Sequence, residues 1–149
     1  MRILLAVCVG MGIATITGGN GRLATAADPE ISATYSICAV DPATGICGAA
    51  VASKYPAVGR VCPYVRAGVG AFLPQHYHVP KGGEPALDLL AAGKRPEEVF
   101  VELLKDDDKA EQRQLAIVDM TGRTALHHPT AAPDASLYWG GQVGRFYAC

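Results

Sequence analysis

The sequence lacks the marks of most binding and catalytic classes. Acidic and basic side chains nearly cancel, with a formal net charge of −1. No basic patch interleaved with aromatics occurs, so nothing in the charge pattern recruits nucleic acid or an anionic membrane. There is no G-x-x-x-x-G-K-[ST], no H-E-x-x-H and no G-x-S-x-G, which argues against phosphate-loop nucleotide binding, a zincin centre and a nucleophile elbow. Gly68-Val69-Gly70 lacks the third glycine of a dinucleotide loop. No C-x-x-C is present, and the cysteine spacing does not suit a zinc site.

What remains is a chain of 149 residues, half of them hydrophobic and 18% charged, enough for one domain with a buried core. The first 33 residues stand apart: Arg2 is followed by an uncharged apolar run, Ile3 to Ile16, then by small residues. That layout is a secretory signal peptide, and the run is short for a transmembrane helix. Retained, it would tie the protein to a membrane. Two cleavage sites are expected. Ala24-Thr25-Ala26 would leave Ala27 first, and Ile31-Ser32-Ala33 would leave Thr34 first; distance from the apolar run favours the former. Export places Cys38, Cys47, Cys62 and Cys149 in an oxidising compartment, with three pairings open.

Along the chain, Tyr35 to Val40 and Ile46 to Ser53 read as a hairpin around the turn chemistry of Asp41-Pro42-Ala43-Thr44-Gly45. Its register is undecided. With Val40 opposite Ile46, Cys38 and Cys47 point to opposite faces, and a one-residue slip brings them together. Arg60 to Ala71 reads as one strand, and Phe72 to Gly83 as a loop carrying Gln75, His76 and His78. Helices are expected from Pro85 to Ala92, stopped by Gly93, and from Pro96 to about Lys105, with Glu97 and Glu98 in the first turn. Asp106-Asp107-Asp108 reads as a solvated linker. Gln114–Val118 and Arg123–His127 form a second hairpin around Asp119, with short strands expected at Tyr138-Trp139 and Val143 to Tyr147. The order, strands then two helices then strands, predicts an α+β domain with largely antiparallel sheets. Ending inside strand-like sequence, it is expected to be incomplete at its C-terminus.

The histidines His76, His78, His127 and His128, with Asp119, could together supply a metal site, and surface loop histidines explain them as well. No metal or organic cofactor is expected. The run "ATYSICAVDPATGICGAAVASKYPAVGRVCPYVRAGVGA" is more specific. With "PALDLLAAGKRPEEVFVELLKDDD" and "RQLAIVDMTGR" following in order, it resembles a bacterial and archaeal family known as domain of unknown function 1028, from Ala33 to about Phe146. That family looks like the N-terminal-nucleophile (Ntn) hydrolases, which implies an α-β-β-α sandwich of two antiparallel sheets flanked by helices. Some members carry a peptidoglycan-binding domain, which implies a cell-wall role. The family pattern continues beyond Tyr147 through a Q-G-N stretch that this sequence does not contain.

The resemblance implies a division into residues 1–33, a leader and pro-segment, and 34–149, the truncated domain. It also implies a chemistry. A hydroxyl is a poor nucleophile without a base, and a freed α-amino group, titrating near ~8, supplies one on the same residue. Thr34 matches the family residue after its initiator methionine and is the expected nucleophile, with Ser36 the alternative hydroxyl. Ser53 and Lys54, in V-A-S-K, end the partner strand, where Lys54 would lower the amine's pKa by like-charge repulsion. Arg66 is the competing cation, at a strand position resembling that of the proteasome lysine. Gln75 resembles a family glutamine that would hold substrate amide groups, whereas Asp119 is expected only to shape its turn. The expected activity is hydrolysis of a small or wall-derived amide by an exported protein, periplasmic or extracellular. The alternative is a non-catalytic envelope module that binds wall fragments or assembles with itself.

Overall fold

In the computed structural model the described residues are 33–76, 79, 83–130 and 140–149. Tyr35–Asp41 (β1) and Ile46–Ala52 (β2) form the expected hairpin. Its turn is closed by Asp41, whose carboxylate accepts from the Ala43 N–H and from the Thr44 hydroxyl. Asp41 lies opposite Ile46, so Val40 faces Cys47 and Cys38 faces Ala49. Both cysteines therefore share one face of the hairpin, two pairs apart, and all four described cysteines are free thiols.

The stretch expected as a single strand is instead a short helix and a hairpin. Val58–Val61 (α1) leads to Tyr64–Arg66 (β3), and a tight turn leads to Gly70–Gln75 (β4). Gly68 takes a left-handed φ of +72° and the Val69 N–H bonds to the Arg66 carbonyl, so the chain reverses where an unbroken strand was read. The first residues of the expected loop then belong to β4, a central strand despite Pro74. The Pro74 carbonyl points away from β5 and accepts from the Cys62 thiol. The ring nitrogen faces the same side, past the start of β3, where no ladder partner awaits an N–H.

Gly83–Ala91 (α2) and Pro96–Leu104 (α3) follow. Gly93, at φ +86°, ends α2, with the Lys94 N–H bonding back to the Leu89 carbonyl. The Arg95 N–H at the start of α3 is held by the Glu98 carboxylate at 2.7 Å. Asp107 departs from the solvated reading: its carboxylate takes a two-pronged bond from the Arg113 guanidinium, at 2.8 and 3.0 Å, in a nearly buried pair. After a 3₁₀ turn, Ala110–Gln112, come Gln114–Asp119 (β5), Thr124–His127 (β6), Val143–Gly144 (β7) and Tyr147–Ala148 (β8). The strand expected at Tyr138-Trp139 lies outside the described residues.

The eight strands make two antiparallel four-stranded sheets, ordered β2-β1-β8-β7 and β3-β4-β5-β6. The α+β expectation holds. Alternation along the strands sorts the side chains. Cys38, Val40, Ala71, Leu73, Ala116, Val118 and Ala148 fill the space between the sheets. Phe72, Leu115 and Ile117 point the other way, onto Ala86, Leu87, Leu90, Val99 and Phe100 of α2 and α3. Among the described residues, helices cover only this second face. The outer face of the first sheet is exposed at Tyr35, Ile37 and Ile46, so the outer helix layer of a four-layer sandwich is not seen there.

Candidate functional site

The inter-sheet layer changes character from one end to the other. At the turn end of β1–β2, the Cys47 thiol donates to the Arg66 carbonyl and the Gly68 N–H to the Gly45 carbonyl, which fixes how the two sheets align. From there β4 runs alongside β2, toward the start of β1. The inward residues pass from Val40, Cys38, Leu73 and Ala116 to polar ones: Ser36, Thr34 and Ser53 from the first sheet, Gln75 and Gln114 from the second.

Thr34 and Ser53 extend the β1–β2 register by one pair, and their hydroxyl oxygens lie 2.8 Å apart. The Ser53 oxygen also accepts the Tyr55 N–H at 3.0 Å, which fixes its position. Lys54 follows in a bend at the surface, with its neighbour Ser53 touching Thr34. Ser36 sits one inward step deeper and is half-buried.

Arg66 is not brought to this end. Its carbonyl is anchored beside Cys47, opposite Val40, six residues up the strand from Thr34, about 20 Å at the rise of a strand. Its guanidinium binds Glu84 at 2.6 Å and Asp88 at 2.8 Å, which ties β3 to α2. These carboxylates raise its pKa, through the hydrogen bonds the guanidinium donates to Asp88 first and to Glu84 second. Arg66 is a brace between sheet and helix.

Gln75 is buried, 8% exposed, and its side-chain nitrogen has no hydrogen-bond partner among the described residues. Such a donor costs about 1–3 kcal/mol when left unmet. The backbone beside the site is also strained. His76 and Ala57, four residues past Ser53, take left-handed φ values of +63° and +57°, which favour glycine. Each costs on the order of 1–3 kcal/mol and is held by its surroundings.

The histidines do not form a metal centre among the described residues, where no group of three ligand side chains converges. The His76 ring bonds to the Gln112 carbonyl and the His127 ring to the Ala110 carbonyl. Asp119 organises its own turn: one oxygen takes the Thr121 and Arg123 N–H groups and the Thr121 hydroxyl, the other the Arg123 guanidinium. Burial alone would raise its pKa; the hydrogen bonds from Thr121 and Arg123 outweigh it, and the net shift is downward. His78 lies outside the described residues.

Sequence reasoning missed Gln114 as a member of the polar end and weighed His128 only as a metal ligand. Gln114 lies directly opposite Gln75, and its side-chain nitrogen donates to the Gly140 carbonyl at 3.0 Å. The β5–β6 register pairs Leu115 with His127, and one further step sets His128 opposite Gln114. Its ring lies against Gly141, and its Nδ1 is buried without a partner among the described residues. The signal was present in the strand parity, because Leu126 and Ala116 already marked the inward face.

Residues 34–149 match a family described as a family of unknown function, DUF1028. No curated protein matches the chain. The structure resembles the crystal structure of a protein from Silicibacter pomeroyi assigned to that family, with a TM-score of 0.69 and 28% identity. The match covers 77% of this chain and 50% of the other, so the chain spans about half the length of that relative. On a match running from the first residue of the polar end to Cys149, the chain belongs to the DUF1028 family.

Proposed function

We propose that the domain is an N-terminal-nucleophile amide hydrolase, with Thr34 as the nucleophile once the Ala33–Thr34 bond is cut. The observation that carries this reading is the 2.8 Å contact between the Thr34 and Ser53 hydroxyls at the open, polar end of the inter-sheet layer. With one Ser53 lone pair taken by the Tyr55 N–H, its single proton remains for Thr34 Oγ1, where it would stabilise charge developing on that oxygen.

In the first step Oγ1 attacks the substrate carbonyl carbon and a C–O bond forms, while the hydroxyl proton passes to the freed α-amino group. The same proton then goes to the leaving nitrogen as the C–N bond breaks, and an ester to Thr34 remains. Water attacks that ester and gives a proton to the amine, and the amine returns it to Oγ1 as the C–O bond to Thr34 breaks and the acid leaves. Lys54, next to Ser53, would hold the amine's pKa down by repulsion. Gln75, with an unmet donor, would hold a carbonyl of the substrate.

The leader-like first 33 residues support an exported protein, and so a substrate met outside the cytoplasm, in the class of wall-derived or small amides. Amino-terminal sequencing of the secreted full-length protein tests the reading. A first residue of Thr34 is expected. A stable product that starts at Ala27 and is active on amides would refute it, and one that starts there without hydrolysing amides would leave an envelope-binding role.

A further inference from the structure

Three residues stand in one row across the second sheet, at the polar end: Gln75 on β4, Gln114 on β5 and His128 just past β6. All three face the first sheet. Ala71 and Leu73 share the face of Gln75, Ala116 and Val118 that of Gln114, and Leu126 that of His128. Residue counting from the Cys47–Arg66 contact sets Gln75 between the levels of Ser36 and Thr34, just inside the Thr34–Ser53 pair. The two outer members of the row keep buried, unpartnered nitrogens, Gln75 Nε2 and His128 Nδ1. The middle member is already committed to the Gly140 carbonyl through its amide nitrogen. Two orphans in one row, flanking a satisfied residue and next to the candidate nucleophile, each call for a partner, and a bound substrate would supply both.

We infer that His128 and Gln75 are the two ends of a substrate-holding row, and that it takes a peptide-like chain lying across the strands. This rests on the reading of Thr34 as nucleophile, and it deepens that reading by narrowing the substrate class. The outer strands of the row are two strand spacings apart, about 9.5 Å. A lone carboxamide is far smaller than that span, whereas an extended peptide repeats its carbonyl and N–H groups every ~3.4 Å and covers it with about three residues. Gln75 Nε2 is a donor only and so selects a carbonyl or carboxylate oxygen. His128 Nδ1 takes an N–H or a carbonyl according to its tautomer.

The test uses the full-length Thr34→Ala protein, which binds without turnover, and three probes: acetamide, N-acetyl-alanine amide and N-acetyl-trialanine amide. Titrations are followed by calorimetry and by the side-chain resonances of Gln75 and His128. The tripeptide is expected to bind at least tenfold tighter than the single residue and to move both resonances. Gln75→Glu and His128→Phe, each in the Thr34→Ala background, should each weaken the tripeptide at least fivefold. Folding of each variant is checked by its amide spectrum, and His128→Gln replaces His128→Phe if the latter unfolds. Equal affinity for all three probes, no binding of any, or a tripeptide indifferent to His128 overturns the row as a peptide site. Failure of the nucleophile reading looks different: the tripeptide would bind the row as stated, while the Thr34→Ala protein hydrolyses amides as fast as the unsubstituted one.

Discussion

The hydroxyls of Thr34 and Ser53, nineteen positions apart in sequence, meet at 2.8 Å because the β1–β2 ladder runs one pair beyond its last assigned residues. Neither side chain is a core residue, so their worth is chemical. Thr34→Ala should abolish amide hydrolysis and Thr34→Ser should keep a measurable part of it. Ser53→Ala should lower kcat about 100–1000-fold, the scale of losing one donor to a developing oxyanion, with KM little changed. All three should melt within about 1 kcal/mol of the parent. Steady-state kinetics beside thermal unfolding separates these effects, and an unchanged kcat in Ser53→Ala would remove Ser53 from the mechanism.

The Asp107–Arg113 pair links the end of α3 to the start of β5, and both side chains are nearly shielded from water. The Arg113 hydrogen bonds, first of all, lower the Asp107 pKa below the usual carboxylate range. A carboxylate depressed in the folded state stabilises it fully above its unfolded pKa of ~3.9, and that contribution is lost as pH falls through the folded pKa. Asp107→Asn should cost about 3 kcal/mol at neutral pH by replacing the carboxylate of a nearly buried ion pair with a neutral amide. The deficit should shrink below about pH 4, where the parent loses the same interaction. Urea unfolding at pH 7 and pH 3 measures both numbers.

Gly70 begins β4 at φ +149°, and a Cβ there would meet the Val118 carbonyl oxygen at 2.3 Å, backbone that cannot swing aside. Gly70→Ala should destabilise the domain by about 3 kcal/mol. Gly45→Ala has open space and carries only the strain of its positive φ, so it should cost about 1 kcal/mol. A pair of denaturation curves decides whether close approach, beyond backbone freedom, holds the glycine at position 70.

Thiol chemistry should divide the four described cysteines. Burial pushes the Cys38 thiol up to about 12 and raises that of Cys62 as well, and each donates to a carbonyl, of Ala148 and Pro74 respectively. At pH 8 iodoacetamide should modify Cys47 and Cys149, which are only partly buried, and spare Cys38 and Cys62 until the protein unfolds. Peptide mapping of briefly labelled protein reads this directly. Rapid labelling of Cys38 would contradict its buried setting.

Much of the frame was legible because local signals and tertiary packing agree. Asp41 to Gly45 is turn chemistry whichever strand follows, Gly93 ends a helix by its own freedom, and the apolar stripe of α3 leaves one face to bury. The misread stretch was Arg60 to Gln75. A proline disfavours a central strand, and only the end of β3 shows that the missing N–H of Pro74 is harmless. The ion pairs were also hidden: Arg66 and Lys54 are equal as cations in sequence, but one is spent on α2, about 20 Å along the strand from Thr34. The places of Gln114 and His128 at the polar end were missed for a related reason, since a row across three strands exists only once both ladders have a register.

That distinction between the two cations yields the last prediction. A positive charge beside the Thr34 amine lowers its pKa, and kcat/KM requires the amine unprotonated, so rate is lost below that pKa. Lys54→Met removes a neighbouring charge, and the acid limb of the pH–rate profile should move to higher pH, by less than about one unit because Lys54 is exposed and screened. In 1 M salt, where screening acts within about 3 Å, parent and variant profiles should converge. Arg66→Met should leave the limb in place, since about 20 Å of strand exceeds the ~8 Å screening length at physiological salt. It should cost only about 1 kcal/mol of stability, the worth of a partly exposed ion pair. A limb that moves with Arg66 and not with Lys54 would reverse the assignment of the tuning charge.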